Sequence, residues 1–359
     1  MTEPYRVLII GAGLAGLTAA RQLEGAMVGD RPVSTLVVEK AKVPGGRLAT
    51  RRIGGATLDH GAQFFTVRSD AFRAEVDRWL ADGVVEEWCR GFAAADGHPR
   101  YRTVGGMNQL AKHLAGRMGW RSTPPGGSSP STSEVVTRRT AEAVIPGPER
   151  WAVTYGSATR EPDEADAVIA TPPVPQTLEL LRAGAAMPGG ELGARLESMT
   201  YHRVLALLAT LDRSPELPGP GALQRPDHPV FSFVADNRAK GISEVPAVTF
   251  HLAHALSAEL WDRPDDEVLA TVGRELAATL GPAAVEEIQV KRWRYAGPVQ
   301  PAPEPALTIA ERPGPLVLAG DGFGGSKVEG AFLSGLAAAD EVRSRLAGDG
   351  PPTPSTGPQ

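Results

Sequence analysis

The sequence predicts an α/β protein: a parallel-stranded nucleotide-binding domain joined to a discontinuous α+β domain built on a mostly antiparallel sheet. Three observations predict it. The run "RVLIIGAGLAGLTAARQLE" passes from an apolar strand through GxGxxG into a helix, with Leu14, Leu17, Ala20 and Leu23 at helical spacing, and "STLVVEK" (34–40) supplies the next buried strand. A second glycine-rich loop, "AGDGFGGS" (319–326), follows the buried strand "GPLVLAGD" and leads into "KVEGAFLSGLAAADEVRSRLAG", a long helix. Between the two loops lie the strand candidates "YHRVLALLATL" (201–211), "PAVTFHLA" (246–253) and "EEIQVKRWRYA", which imply a second sheet.

A chain of 359 residues suits about two domains. Hydrophobic residues at 42% and charged residues at 22% mark a folded globular protein able to enclose a large ligand. The net charge of -5 and the absence of a basic tract exclude a nucleic-acid partner. Cys89 is the single cysteine, so neither an intramolecular disulfide nor a cysteine metal cluster can form. The opening "MTEPYRVLIIGAG" lacks a signal-peptide pattern, and no apolar run reaches the ~18 residues of a membrane helix. The expected setting is the cytoplasm, with no membrane partner.

Further elements follow from period and punctuation. Helices are expected at 71–83 and 105–119, each ending near glycine, and at 265–281, where the pattern is strongly amphipathic. "ADAVIATPPVP" (165–175) reads as an apolar strand stopped by prolines. "STPPGGSSPSTS" (122–133) is too rich in Pro, Gly and Ser to pack and reads as a flexible insertion; 348–359 reads as a disordered tail. The expected domains are 1–68, 101–175 and 296–347 for the nucleotide, and 69–100 with 176–295 for the substrate.

In the first loop Gly11 allows the tight turn, Gly13 lets backbone touch a diphosphate, and Gly16 lets helix and sheet approach. Leu14 and Ala15 open the helix whose N-terminus stabilises phosphate charge. Glu39, ending the second strand, would accept hydrogen bonds from an adenosine ribose and repel a 2'-phosphate, which favours FAD or NAD over NADP. "KVPGGRLATRR" adds a glycine doublet and Arg47 next to that strand, a second backbone approach and a guanidinium for the same phosphates. FAD is long, and its flavin half needs anchors of its own. The closing loop offers them, with Gly320 and backbone NH groups for phosphate or flavin edge and Asp321 for a ribityl hydroxyl, unless Asp321 serves only as a helix cap.

"LIIGAGLAGL", "EK…PGGRLATRR", "LDHGAQFFTVR", "YRTVGGMNQLAKHLA", "DAVIATPP", "DNRAKG", "KRWRYAGP" and "AGDGFGGSKVEGAFLSG" together resemble the flavin-containing amine oxidase superfamily, and within it the renalase-like flavoproteins, over essentially the whole chain. The resemblance implies a p-hydroxybenzoate-hydroxylase-like domain with non-covalent FAD. It implies oxidation of the 2- and 6-dihydro isomers of NAD(P)H, with hydride transfer to flavin N5 and reoxidation by O2 to hydrogen peroxide. It also brings Lys40, Gly46, Val136 and Thr171 into the cofactor site, with Lys327, Val328 and Glu329 at the start of the closing helix. Gly324, Gly325 and Ser326 stand where monoamine oxidases tether FAD through cysteine, so a covalent link is not expected.

By family position "LDHGAQFFT" passes close to the flavin, with His60, Gly61 and Ala62 approaching the ring and Gln63 hydrogen-bonding near it. One of Phe64 and Phe65 is expected in the core. Strand alternation puts Lys291, Trp293 and Tyr295 on one face and Arg292 and Arg294 on the other. An aromatic wall with a cation suits a planar pyridine and its phosphate tail; the alternative is solvated arginines and a core Trp293. His251 is expected either as a polar group in the substrate cavity or as a structural histidine, and its spacing from His254 makes no metal pair on a strand, so no metal is expected. Asn237 and Lys240 fit either substrate contact or turn-making. The rival readings are an amine or amino-acid oxidase, a carotenoid-desaturase-like enzyme, which would want a broad apolar face, and a non-catalytic FAD- or NAD-binding regulator. GxSxG and P-loop patterns are absent, which excludes those hydrolases and NTPases.

Overall fold

The computed structural model describes residues 3–92, 96–121, 133–156 and 161–348. The chain divides into two compact units: Met1–Gly46, Ala111–Thr200 and Pro298–Gln359 form the first, Arg47–Leu110 and Tyr201–Gly297 the second. This division differs from the boundaries expected from sequence. Residues 47–68 and 101–110 belong to the second unit because Ile53, Ala56 and Leu58 are buried against Leu208 and Ala247 of its sheet. The strand Arg100–Thr103 goes with them, since it pairs with Val85–Cys89. Residues 176–200 belong to the first unit because the helix Val174–Ala183 packs on the strand Ala141–Pro146. The expected insertion at 122–133, apart from Ser133, and the expected tail at 348–359, apart from Gly348, lie outside the described residues.

The first unit is built on a sheet ordered Leu307–Ala310, Leu316–Leu318, Ala167–Ala170, Tyr5–Ile10, Arg31–Glu39, Glu134–Thr137, Trp120–Arg121. In that order the pairs are parallel from Leu316–Leu318 onward; Leu307–Ala310 is antiparallel, as is the short strand Met27–Val28 that pairs with Arg31–Glu39. Val7, Leu8 and Ile9 are fully buried, as expected of a central parallel strand covered on both faces. The helix Leu14–Leu23 lies against the closing helix Val328–Leu346 at very short range: a Cβ on Gly335 would sit 2.3 Å from the Ala15 carbonyl oxygen. The prolines after Ala170 end that strand and also open the next helix, with Pro173 at its cap.

The second unit has a five-stranded sheet ordered Ala222–Gln224, Phe231–Asp236, Ala247–Leu252, Tyr201–Leu211, Val285–Pro298. The registered pairs are antiparallel. One face is closed by the helix Asp265–Leu280, whose Val268, Val272 and Leu280 meet Leu205, Leu207, Val248 and Phe250. That helix carries three acids in its first turn and ends at Gly281 with φ 60, both in line with the sequence. The helix Asp70–Ala81 is capped by Ser69, whose hydroxyl accepts from Phe72 N at 3.3 Å. The other face carries the hairpin Thr50–Ile53 and Ala56–Asp59. Gly54-Gly55 between the two short strands is the sign of this hairpin that the sequence carries.

Candidate active site

In the first unit the glycine loop has the conformations its residues were expected to need. Gly11 has φ +101 and would drive a Cβ to 2.5 Å from Thr171 Oγ1, while that hydroxyl donates to the Ile10 carbonyl at 2.8 Å. Gly16 would place a Cβ 2.0 Å from the Gly11 carbonyl, so the third glycine is required by the closeness of helix and loop. Gly13 caps the helix without a side-chain hydrogen bond, and nothing lies within 4 Å of where its Cβ would point. This open, donor-rich concavity at a helix N-terminus fits a diphosphate. Gly45 N donates to Ala12 O at 2.9 Å, which ties the second glycine turn to the first, and a Cβ on Gly46, φ +51, would lie 3.6 Å from Gly13 Cα.

Glu39 is buried, and its carboxylate accepts from Ala12 N at 2.9 Å and Ala41 N at 2.8 Å. The acid at the strand end therefore braces the loop with one lone pair on each oxygen and retains others for a hydroxyl. Lys40 beside it is exposed, and Val136 is buried in the neighbouring strand opposite Val38. At the closing loop Gly320 has φ +121, and its NH donates to Ser334 Oγ at 2.8 Å. Asp321 is buried. The helix beginning at Val328 has Lys327 at its cap with no side-chain cap bond, and Glu329 lies in its first turn. Two helices of this unit thus start at glycine-rich loops with cap residues, Gly13 and Lys327, that make no side-chain cap bond.

The second unit gathers the candidates assigned to the substrate. His60 and Trp293 stack with centroids 5.1 Å apart, and Trp293 Nε1 donates to the His60 carbonyl at 2.7 Å. His251 Nε2 lies 3.2 Å from the same carbonyl, which fixes that nitrogen as the protonated one. Gln63 Nε2 donates to Asp59 O at 2.7 Å and Gly61 O at 3.2 Å, and stands 3.5 Å from His251 Nε2. Gln63 Oε1 and His60 Nδ1 are buried without a hydrogen-bond partner in this cluster. Gly61 would drive a Cβ to 2.0 Å from the Arg47 carbonyl, which also accepts from Ala62 N at 2.8 Å. Arg47 in turn donates from Nη1 to the Tyr295 carbonyl at 3.3 Å, and Tyr295 meets Tyr201 edge-on at 5.7 Å. Phe65 is buried on Phe72, Trp79 and Tyr101, whereas Phe64 packs with Trp88, Phe92 and Phe233. The alternation expected for 291–295 is present: Arg292 pairs with Asp265 at 2.5 Å and Arg294 lies over Trp261, on the face opposite Trp293.

Beneath this cluster runs a buried polar network that pairwise sequence reading missed. Lys240 Nζ donates to Asp59 Oδ2 at 2.7 Å with both side chains wholly buried. Asp59 Oδ1 accepts from Thr50 Oγ1 at 2.6 Å and Met107 N at 2.8 Å. Asn237 donates to Thr249 Oγ1 at 3.0 Å, and Thr249 passes the chain on to Asp59 O at 2.8 Å. Asn237 and Lys240 are therefore braces for the 59–63 segment. Burial pushes the Lys240 ammonium down, opposed by the Asp59 charge. Burial likewise lowers His60 to about 4, against Asp59 and with Arg51 and Lys291, and lowers His251 to about 4, against its bond to the His60 carbonyl. Both rings are neutral near pH 7. His254 lies apart from His251, stacked on His202 with centroids 4.0 Å apart.

An uncharged stacked pair with unused polar atoms can hold a planar heterocycle, and the glycine cradle can hold a dinucleotide. Among the described residues no helix is long and apolar enough to cross a membrane. Hydroxyneurosporene desaturase of Rubrivivax gelatinosus is 30% identical over 128 residues, 35% of this chain, and the match spans 19% of the length of that protein. Murine renalase (Mus musculus) is 22% identical over 355 residues, covering 92% of this chain and 96% of its own. The fold matches a putative protoporphyrinogen oxidase from Exiguobacterium sp. 255-15 with a TM-score of 0.67, at 14% identity and with 96% and 99% of the two chains covered. Residues 9–79 match the NAD(P)-binding Rossmann-like domain, and residues 79–343 match the flavin containing amine oxidoreductases. With that match across most of its length, the chain belongs to the flavin-containing amine oxidoreductase family and is an oxidoreductase that uses a flavin.

Proposed function

We propose that the protein is a renalase-type oxidase that holds FAD non-covalently and oxidises 2- or 6-dihydro isomers of NAD(P)H. The observation that carries this reading is the neutral His60–Trp293 pair, with Gln63 Oε1 and His60 Nδ1 unpartnered beside it and the nearby Asp59 carboxylate already neutralised by Lys240. A carboxamide-bearing pyridine finds in that cluster a flat wall and complementary polar atoms. The end-to-end likeness to murine renalase supports the same choice.

In this reading Gly11, Gly13, Leu14, Ala15 and Gly16 bind the diphosphate, Glu39 and Lys40 the adenosine ribose side, and Val136 and Thr171 line the adenylate half. Gly46 and Arg47 add a second approach to the phosphates, and Gly320, Asp321, Lys327, Val328 and Glu329 hold the flavin half. His60, Gly61 and Ala62 would help to hold the flavin ring. Bound FAD supplies the two-electron chemistry, so that dihydropyridine, O2 and one proton become pyridinium and H2O2. Trp293 and Tyr295 orient the substrate ring, while Gln63 and His251 fix the backbone and polar atoms around it. Loss of hydride requires no base, which suits a His251 that stays neutral and keeps its Nε2 proton on the His60 carbonyl.

The test is anaerobic titration of the purified yellow protein with isomerised NADH, against pure NADH. Bleaching of the flavin band by the isomers alone, reversed by air with peroxide formed, is the expected outcome. Flavin that stays oxidised with the isomers and bleaches with amines would replace this reading by amine oxidation.

A further inference from the structure

Two cations, Arg51 and Lys291, act on the His60–Trp293 pair, and among the described residues neither forms an ion pair with a carboxylate. Lys291 lies two residues before Trp293 in the edge strand of the antiparallel sheet and shares its face. Arg51 is the cross-strand partner of Leu58, whose side chain is buried against Leu208 and Ala247 of that same sheet, so Arg51 emerges from the hairpin on the sheet side. Both positive charges act on His60, and the Arg51 charge also acts on Lys291. The carboxylates whose fields reach this corner are committed elsewhere: Asp265 is bonded to Arg292 at 2.5 Å and Asp59 to Lys240 at 2.7 Å. Burial and the Arg51 guanidinium both hold the Lys291 ammonium below its usual range. Like charges kept together without a counter-ion are unfavourable until an anion joins them, and a phosphate between a guanidinium and an ammonium is such an anion.

We propose that Arg51 and Lys291 form the phosphate-recognising subsite for the substrate, so that the enzyme takes its dihydropyridine as a nucleotide and discriminates against the riboside. This inference rests on the proposed reaction and assigns the residues that recognise the phosphate of its substrate. It makes Arg51 a specificity determinant, on a hairpin that carries none of the other substrate candidates.

The experiment uses the holoenzyme and three substrates isomerised in the same way: the dihydronicotinamide riboside, its 5'-mononucleotide and the dinucleotide. Stopped-flow flavin reduction gives kcat/KM for each with the wild-type protein and with Arg51→Met, Lys291→Met, the double variant and the charge-conserving Arg51→Lys. A charge-assisted contact is worth roughly tenfold or more, so the mononucleotide-to-riboside ratio is expected to fall about tenfold in each single methionine variant. In the double variant the ratio approaches unity, and Arg51→Lys retains most of it. Added salt is expected to lower the wild-type ratio and to leave that of the double variant flat. Equal efficiency on riboside and mononucleotide in the wild type, or a ratio unchanged in the double variant, overturns the subsite while leaving the reaction standing. Failure of all three substrates to reduce the flavin overturns the reaction and the subsite with it.

Discussion

His60 and His251 lose their ordinary affinity for protons because burial withholds water from the imidazolium, and each ring is lowered from 6.5 to about 4. In the unfolded chain both titrate near 6.5. Between those values the unfolded state binds more protons than the folded state, so stability is complete above about pH 6.5 and declines as the pH falls toward 4. One ring shifted by that amount contributes ~3 kcal/mol, and two adjacent rings contribute less than twice as much. Urea unfolding at pH 7.5, 6 and 4.5 is expected to show the midpoint falling below pH 6.5, with a shallower fall in His251→Gln. An identical fall in the variant would show that His251 is not a source of it. These shifts were not legible in the sequence, because they arise from what surrounds a side chain. The same holds for Lys240 and Asp59, separated by 181 residues and brought together in a wholly buried pair. Gly11, Gly13 and Gly16 were legible, because their roles depend on backbone conformation and close approach within a few residues.

At the scale of elements, period and punctuation located the helix Asp265–Leu280, the strand Tyr201–Leu211 and the closing helix to within a few residues. How closely elements pack was not legible. Gly335 looks like any helical glycine in the sequence, yet its Cβ would meet the Ala15 carbonyl at 2.3 Å and Thr18 Cβ at 2.9 Å. Gly335→Ala is therefore expected to destabilise by about 1–3 kcal/mol through forced separation of two helices. Gly273, in the helix Asp265–Leu280, has nothing within 4 Å of its Cβ position. Gly273→Ala is expected to stabilise by roughly 0.5–1 kcal/mol through helix propensity. Calorimetric melting of the two variants checks the pair: opposite shifts in Tm support the packing argument, and equal shifts refute it.

Over the whole molecule, the two kinds of sheet were predictable from the spacing of apolar strands, while the partition of the chain between units was not. Pairing of Val85–Cys89 with Arg100–Thr103 and burial of the hairpin against Leu208 are long-range choices. The first unit takes three separate stretches of chain, and its strand Leu316–Leu318 pairs with Ala167–Ala170, itself the neighbour of Tyr5–Ile10. A chain ending at Gly297 loses both closing strands and the helix packed on Leu14–Leu23. It is expected to retain no flavin and to lose the cooperative melting transition, as judged by absorbance after gel filtration and by circular dichroism. Synthesis runs from the N-terminus, so the nascent helix Leu14–Leu23 leaves the ribosome long before Val328–Leu346 exists to cover it. Until then that small-residue surface is available to chaperones and proteases, and the helix Val328–Leu346 is the one that withdraws it. A message cut short near its end would thus yield a polypeptide still marked for removal.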